Sequence, residues 1–157
     1  MKDSPGFPLA FWRVMRQLNR WMLARYGPGS KVANRVLVLT TIGRKSGQPR
    51  STPLQFEQVE TAYYVASARG VKADWYRNLM ACPKVDVQIG DMQFSTIAEL
   101  MTDTDQVADF LELRLKRHPL FMGAMLRLEG LPRKYTRTDL EKFGERLAIV
   151  ALHQDTR

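Results

Sequence analysis

The sequence predicts an α+β fold, a small barrel of about six mainly antiparallel strands with flanking helices. Short β-branched or alternating runs recur from residue 35 onward, glycine-containing turns separate them, and amphipathic stretches occur before, between and after them. The 157 residues, 45% hydrophobic and 25% charged, fit one globular domain over 1–157 and exclude a disordered or fibrous chain. We therefore expect a single domain.

The first third of the chain predicts a helix followed by three strands. The helix is expected over 7–26, where apolar residues alternate with arginines until Gly27-Pro28-Gly29 stops the pattern. Strands are expected at three β-branched or weakly alternating runs: 35–42, 49–57 and 61–67. A basic turn over 43–47 joins the first two runs, so they should fold back on each other.

The remaining two thirds alternate between helices and strands. The run 84–89 is apolar at every second position, and Gly90-Asp91 separates it from the run 93–100, which predicts a hairpin. Helices are expected over 73–81, 102–117, 119–128 and 138–143, and a last strand over 146–152. Thr102 or Asp103 should cap the second of these helices, because short polar side chains accept from free N–H groups there.

Positive charge is concentrated near the N-terminus. The net charge is +8, and residues 1–50 hold ten basic residues against one acid, Asp3. The remaining residues carry 14 basic and 15 acidic side chains. This asymmetry indicates an anionic partner near the first third, whether a phosphorylated cofactor, a membrane surface or nucleic acid. Nucleic acid ranks third, because the basic segment does not show the aromatic interleaving of known nucleic-acid readers.

The sequence predicts a cytoplasmic protein without a metal site. Cys82 is the single cysteine and cannot form an internal disulfide, and His118 and His153 lack the spacing of zinc ligands. No secretory signal opens the chain, and no apolar run approaches the length of about 18 residues that spans a bilayer. The basic N-terminal helix within 1–27 packs on the barrel or lies on the anionic inner face of the membrane.

One motif, TTIGRKSGQPRSTP over residues 40–53, indicates anion binding. Arg44, Lys45 and Arg50 converge if the two strands fold back, and Gly43 and Gly47 let backbone N–H groups approach an oxyanion. The motif is not a phosphate-binding P-loop, since the required glycines are missing and a strand follows it. The alternative is an exposed turn whose charges only keep the protein soluble.

Four motifs together resemble the deazaflavin-dependent nitroreductase and quinone reductase family, whose members use coenzyme F(420). These motifs are residues 40–54, Ala66-Ser67, WYRNL over 75–79 and Pro83-Lys84-Val85, in the family's order. The resemblance covers about residues 30–100. It implies a split β-barrel similar to that of flavin-binding pyridoxamine-phosphate-oxidase-like proteins.

The resemblance also implies which residues bind the coenzyme. Arg44, Lys45 and Arg50 would hold its phosphate and acidic glutamate tail. The other residues implied at the deazaflavin ring, its edge or the pocket wall are Ser51, Thr52, Pro53, Ser67, Ala68, Arg69, Trp75 and Asn78. The chain departs from the family in two places. A lysine common after the family's serine is replaced by Ala68, so that Arg69 or Lys72 would supply the cation. The tyrosine-rich C-terminal stretch of nitroimidazole-reducing relatives is missing, which concerns the substrate side.

The function that the resemblance implies is hydride transfer from reduced F(420) to a quinone, nitro compound or activated double bond. Ser67, Tyr76 and solvent are the candidate proton donors. The alternatives are the same fold with FMN or heme, and a non-enzymatic cofactor carrier or membrane-surface protein. The apolar stretch 120–126 is expected to form core, a homodimer contact or the wall of an acceptor pocket.

Overall fold

The computed structural model describes residue 17, residues 35–67 and residues 69–154. Seven strands run in chain order: β1 (Val36–Ile42), β2 (Pro49–Val59), β3 (Ala62–Ser67), β4 (Lys84–Ile89), β5 (Met92–Ile97), β6 (Glu99–Leu100) and β7 (Ala148–His153). Four α-helices accompany them: α1 (Asp74–Ala81), α2 (Thr104–Arg117), α3 (Pro119–Leu128) and α4 (Arg137–Gly144). A short 3-10 helix, Gly70–Lys72, precedes α1.

The strands form one antiparallel sheet in the order β5-β4-β1-β2-β3-β7-β6. The long strand β2 belongs to both halves of the sheet, because its first part pairs with β1 and its residues from Phe56 to Val59 pair with β3. The two outermost strands, β5 and β6, are separated in the chain only by Ala98. A sheet whose two edges meet through one residue must curl, which gives the half-barrel shape.

The structure confirms the predicted fold class and the elements predicted from residue 35 onward, with two differences in detail. Asp103, not Thr102, caps α2, and its carboxylate accepts from the N–H groups of Asp105 at 2.9 Å and Gln106 at 3.3 Å. The predicted run 93–100 divides at Ala98, whose N–H donates to the carbonyl of Pro83 at 2.8 Å. After this residue the chain leaves β4 and pairs with β7, so the sheet has seven strands instead of about six.

Two apolar cores lie on opposite faces of the sheet. Strand alternation turns Tyr63 and Val65 of β3 into the barrel, and it turns Tyr64 and Ala66 outward against the helices. The inner core also contains Leu37, Leu39, Trp75, Leu79, Val85, Val87, Val150 and Leu152. The outer core joins α2, α3 and α4 to the sheet through residues such as Phe110, Leu111, Met122, Leu126, Leu140 and Ile149.

The helix expected over 7–26 lies outside the described residues, apart from Gln17. In the part of the chain that is described, no helix has the length and apolar character needed to cross a membrane.

Candidate functional site

The basic turn between β1 and β2 has a defined backbone. The N–H of Gly43 donates to the carbonyl of Gln48 at 2.8 Å, and the N–H of Gly47 donates to the carbonyl of Gly43 at 2.7 Å. Gly47 has a φ of +68°, in the left-handed region that favours glycine. Gly43 is required for space, because a Cβ there would lie 2.6 Å from the Ser46 hydroxyl. The side chains of the turn therefore project from a fixed frame.

Helix α1 is attached to this turn through Asn78, which is only 5% exposed. The side-chain oxygen of Asn78 accepts from the backbone N–H of Arg44 at 3.2 Å and from Nη1 of Arg44 at 3.0 Å. Its Nδ2 donates to the buried hydroxyl of Thr41 at 3.2 Å. The second terminal nitrogen of Arg44 pairs with Asp74 at 3.1 Å. We call Thr41, Arg44, Asp74 and Asn78 the Asn78 network.

The three predicted cations of the turn differ in their surroundings. Arg44 belongs to the Asn78 network, and 25% of its side chain is exposed. Lys45 and Arg50 are exposed, and none of the carboxylates in 35–67 and 69–154 pairs with either of them. An anionic ligand can therefore engage Lys45 and Arg50 without displacing a carboxylate of that region. This supports an anion-binding turn in which Arg44 sets the geometry.

The predicted ligand-binding residues of β2 divide between two faces. Arg50 and Thr52 pair with fully buried residues of β1 and share its inner face. Ser51 and Pro53 point to the opposite face, where the Ser51 hydroxyl lies 2.9 Å from that of Thr40. Because neighbouring strand residues alternate, one planar ring does not contact all four side chains from one side. Their binding roles stay predictions.

Ser67 is the last residue of β3, and the chain continues from it to α1, which contacts the turn through Asn78. β1 and β3 run in the same direction, because both are antiparallel to β2, although the register leaves Ser67 level with Leu54 and not with the turn itself. Ser67 is 6% exposed and lies on the inner face of β3 with Val65. Arg69 follows as an exposed residue, and Ala68 lies outside the described residues. Ser67 and Arg69 therefore remain compatible with the predicted site.

Helix α1 contributes two aromatic side chains at this end of the barrel. Trp75 is 8% exposed and belongs to the inner core, and Tyr76 is half-buried. Their rings meet edge to face, with centroids 6.0 Å apart. Trp75 thus packs mainly against the protein interior, while Tyr76 is the more accessible of the two. The predicted contacts of both with the coenzyme stay predictions.

The charge at this end is strongly positive. Seven basic residues lie in the turn, in the segment around α1 and at the start of β4: Arg44, Lys45, Arg50, Arg69, Lys72, Arg77 and Lys84. The same segments carry two acids, Asp74 and Asp86. Clustered charge of one sign raises the local concentration of an oppositely charged ligand and speeds its association. The end of the barrel near the turn therefore favours a polyanion.

Sequence reasoning missed two members of the Asn78 network. Asp74 is the first residue of α1, and acidic residues are common at helix starts because they interact favourably with the helix dipole. Its presence in the sequence therefore did not indicate that it pairs with Arg44. Thr41 was part of the motif, but its buried hydroxyl was not singled out as the partner of Asn78. Asn78 itself was predicted at the pocket, and the structure shows that it holds Arg44.

Two cavities lie away from the basic turn, and residues of α2 contribute to the wall of each. One of about 430 Å³ lies between α2 and the strands β3, β6 and β7, with Tyr64, Phe110 and His153 in its wall. The other, of about 400 Å³, lies beside the second half of β2 and is lined by Phe56 and Phe121 among others. Neither cavity includes a residue of the predicted site.

The second cavity also contains a buried acid that ties the helices to the sheet. Glu57, 7% exposed, bonds Arg117 and lies 3.3 Å from the ring of His118 and 3.8 Å from Arg114. Burial lowers the pKa of Arg114, and the charge of Glu57 acts against this lowering. Removing one of these cations would leave the buried carboxylate with less compensating charge, which costs stability. The cluster therefore stabilises the packing of the end of α2 against β2.

Fold and site together define a split-barrel protein with a cluster of cations at one end of the barrel. The family model described as F420H(2)-dependent quinone reductase matches residues 13–122, which include the turn, α1 and the β4–β5 hairpin. The chain belongs to this family. The family predicted from the four motifs is therefore confirmed.

Curated relatives support the same family. The quinone reductases Rv1261c and MT1299 of two Mycobacterium tuberculosis strains are each 30% identical over 82 residues. The match covers 46% of this chain, and the chain spans about half, 55%, of the length of these relatives.

Solved structures support the fold. The heme storage protein HutZ of Vibrio cholerae has a TM-score of 0.53 at 15% identity, covering 79% of this chain and 84% of its own. Protein Rv2991 of Mycobacterium tuberculosis has a TM-score of 0.54 at 15% identity, covering 99% and 87%. A chain described as a domain-swapped dimer has a TM-score of 0.52 at 18% identity, covering 89% and 97%. The predicted split-barrel fold class is confirmed.

Proposed function

We propose that this protein is a reductase that uses reduced coenzyme F(420) to reduce a quinone. The observation that carries the proposal is the pair of exposed cations, Lys45 and Arg50, on a turn that is held in place by hydrogen bonds to Asn78. The family model spans this turn, and the family is named for the same coenzyme. The proposal therefore rests on residues of this chain as well as on membership.

The residues of the turn fit the acidic end of the coenzyme. Its phosphate and glutamate tail present several negative charges, and the turn offers two cations that bind no carboxylate of the described region. Each charge-assisted contact contributes about 1.5–3 kcal/mol. The backbone N–H groups of Gly43, Arg44 and Gly47 already donate within the protein, so the contact depends on the side chains of Lys45 and Arg50. Binding without chemistry is the expected role of Lys45 and Arg50.

The coenzyme, when bound, supplies the hydride, and the chain positions and desolvates the reactants. Trp75 and the inner core keep water from the barrel end, which strengthens electrostatic contacts there. Tyr76 is half-buried at the same end and carries a hydroxyl, so it can donate a proton to the reduced acceptor. Ser67 is the other candidate, and it is almost fully buried. Solvent is the third.

A quinone is the acceptor that we favour over a nitro compound or an activated double bond. The matched relatives are named as quinone reductases, although this chain spans only about half of their length. The tyrosine-rich C-terminal stretch that the resemblance associates with nitroimidazole reduction is missing here. Because a quinone acceptor is lipid-soluble, we also propose that the protein is cytoplasmic and contacts the inner face of the membrane through residues 7–26. A homodimer is a further proposal, in line with the domain-swapped neighbour.

Fluorescence titration of the purified protein with F(420), and then with FMN and hemin, tests the proposal. We expect saturable binding of F(420) and anaerobic oxidation of its reduced form when a soluble naphthoquinone is added. The matched control replaces two exposed cations distant from the turn, Arg133→Ala/Lys142→Ala, and should bind F(420) normally. Tight binding of FMN or hemin with no binding of F(420) overturns the proposal, and F(420) binding without turnover favours a carrier.

A further inference from the structure

Helix α3 exposes an apolar face, unlike α2, the other long helix of the described residues. Leu120 is 89% exposed, Phe121 54% and Leu128 69%, and the small Ala124 lies between them on the same side. The opposite side of α3 carries Met122 and Leu126, which are buried in the outer core. The helix is therefore apolar on both sides, and only one side has a partner within the described residues.

The contrast with α2 shows that this exposure is specific to α3. The exposed positions of α2 are polar or charged, among them Asp105, Gln106, Asp109, Glu112 and Lys116. An ordinary solvent-facing helix has this composition. Three large exposed apolar side chains on one ten-residue helix form the kind of patch that marks an interaction surface.

Cations flank the exposed face of α3 along the chain. Residues 116–134 carry five basic side chains and one acid, Glu129. Lys116, Arg127, Arg133 and Lys134 are exposed, and the ion pairs of the described region include none of them. Glu129, the one acid of this segment, is half-buried. The surface that covers this face is therefore expected to be apolar within and anionic around its edge.

We propose that the exposed face of α3, Leu120, Phe121, Ala124 and Leu128, docks on an anionic lipid surface. Apolar side chains enter the headgroup boundary while cations beside them meet anionic headgroups. A second copy of this chain fits less well, since it would bring the same cations face to face. The basic segment 7–26, with four arginines and no acid, would meet the same repulsion. The contact is independent of the proposed coenzyme chemistry.

Vesicle sedimentation of the full chain tests this contact. We expect binding to phosphatidylglycerol vesicles, little binding to phosphatidylcholine vesicles, and weakening by added salt. The variant Leu120→Gln/Phe121→Gln/Leu128→Gln should weaken binding by roughly tenfold or more. The control Val71→Gln/Met80→Gln/Ile97→Gln changes three other apolar side chains that are each more than half exposed, and it should bind as the parent does. Circular dichroism checks that each variant is folded.

Four results would overturn the proposal. The first is no binding of the parent chain to anionic vesicles, and the second is unchanged binding of the α3 variant. The third is that the variant Trp12→Gln/Trp21→Gln loses vesicle binding whereas the α3 variant keeps it. This result would assign the contact to the N-terminal segment. The fourth is a lipid-free dimer in analytical ultracentrifugation that the α3 variant dissociates, which would make this face an interface between copies of the chain.

Discussion

The side-chain oxygen of Asn78 accepts two hydrogen bonds from Arg44, one from the backbone N–H and one from the guanidinium. A single amide thereby fixes both the main chain of the basic turn and the direction of one of its cations. The other end of the same amide bonds Thr41 inside the barrel. The position of the turn is thus coupled to the packing of α1, although 34 residues separate the partners in the chain.

Asn78→Ala should reduce both stability and coenzyme affinity. It removes three hydrogen bonds at a site that is almost fully buried, which is expected to lower the free energy of unfolding by about 1–3 kcal/mol. The loosened turn should weaken F(420) binding by about tenfold, the equivalent of 1.4 kcal/mol. Urea denaturation and fluorescence titration measure the two effects.

Asn78→Asp serves as the control for this substitution. The carboxylate still accepts from Arg44, but it cannot donate to the hydroxyl of Thr41. We expect affinity close to that of the parent chain together with a partial loss of stability. An alanine variant as stable as the parent would contradict the structural role of the amide.

Lys45→Ala/Arg50→Ala should weaken F(420) binding by roughly 100-fold, because two charge-assisted contacts are lost. The melting temperature should hardly change, since both side chains are exposed and pair with no carboxylate of the described region. The affinity of the parent chain should fall as salt is added, whereas that of the variant should depend less on salt. Unchanged affinity in the double variant would disprove the role assigned to the turn.

The sequence was informative about the turn because its features are local. Paired glycines, three cations and β-branched runs on either side lie within a few residues of one another, and the structure confirms the hairpin that they predicted. The carboxylate that pairs with Arg44 could not be predicted in the same way. Asp74 lies 30 residues away and reaches the turn only because α1 docks there. A sequence does not reveal whether a cation in a turn meets a ligand or a carboxylate of its own chain.

Weak periodicity limited the prediction in two other places. The alternation in β2 was too irregular to show that Ser51 and Pro53 face away from Arg50 and Thr52, so the predicted site combined both faces. The run 93–100 gave no sign of a break at Ala98, because the break depends on where β7 lies in the curled sheet. Both features are consequences of tertiary structure.

Gly43→Ala and Gly47→Ala should impair the turn for different reasons. A Cβ at Gly43 would lie 2.6 Å from the Ser46 hydroxyl and 3.2 Å from the carbonyl of Gln48, so we expect a cost of about 1–3 kcal/mol. Adding Ser46→Ala should recover part of this cost. A Cβ at Gly47 meets nothing within 4 Å, and its cost of about 1 kcal/mol comes from the positive φ alone. Thermal denaturation compares the variants, and equal costs with and without Ser46→Ala would contradict the steric explanation.

Glu129→Gln should stabilise the protein at neutral pH and lose this advantage in acid. Burial raises the pKa of Glu129 in the folded chain, and the nearby charge of Arg146 offsets this only in part. A raised folded-state pKa means that the contribution of Glu129 to stability is fully present below its unfolded pKa, near 4.5, and is lost as pH rises through the folded value.

At pH 7 the carboxylate is buried and one of its oxygens has no hydrogen-bond partner, so a neutral amide of the same shape should raise the melting temperature. The difference from the parent chain should shrink as pH falls toward the unfolded pKa. Glu145→Gln, at an exposed position beyond α4, is the control, and a gain that did not depend on pH would contradict the assignment to the charge of Glu129.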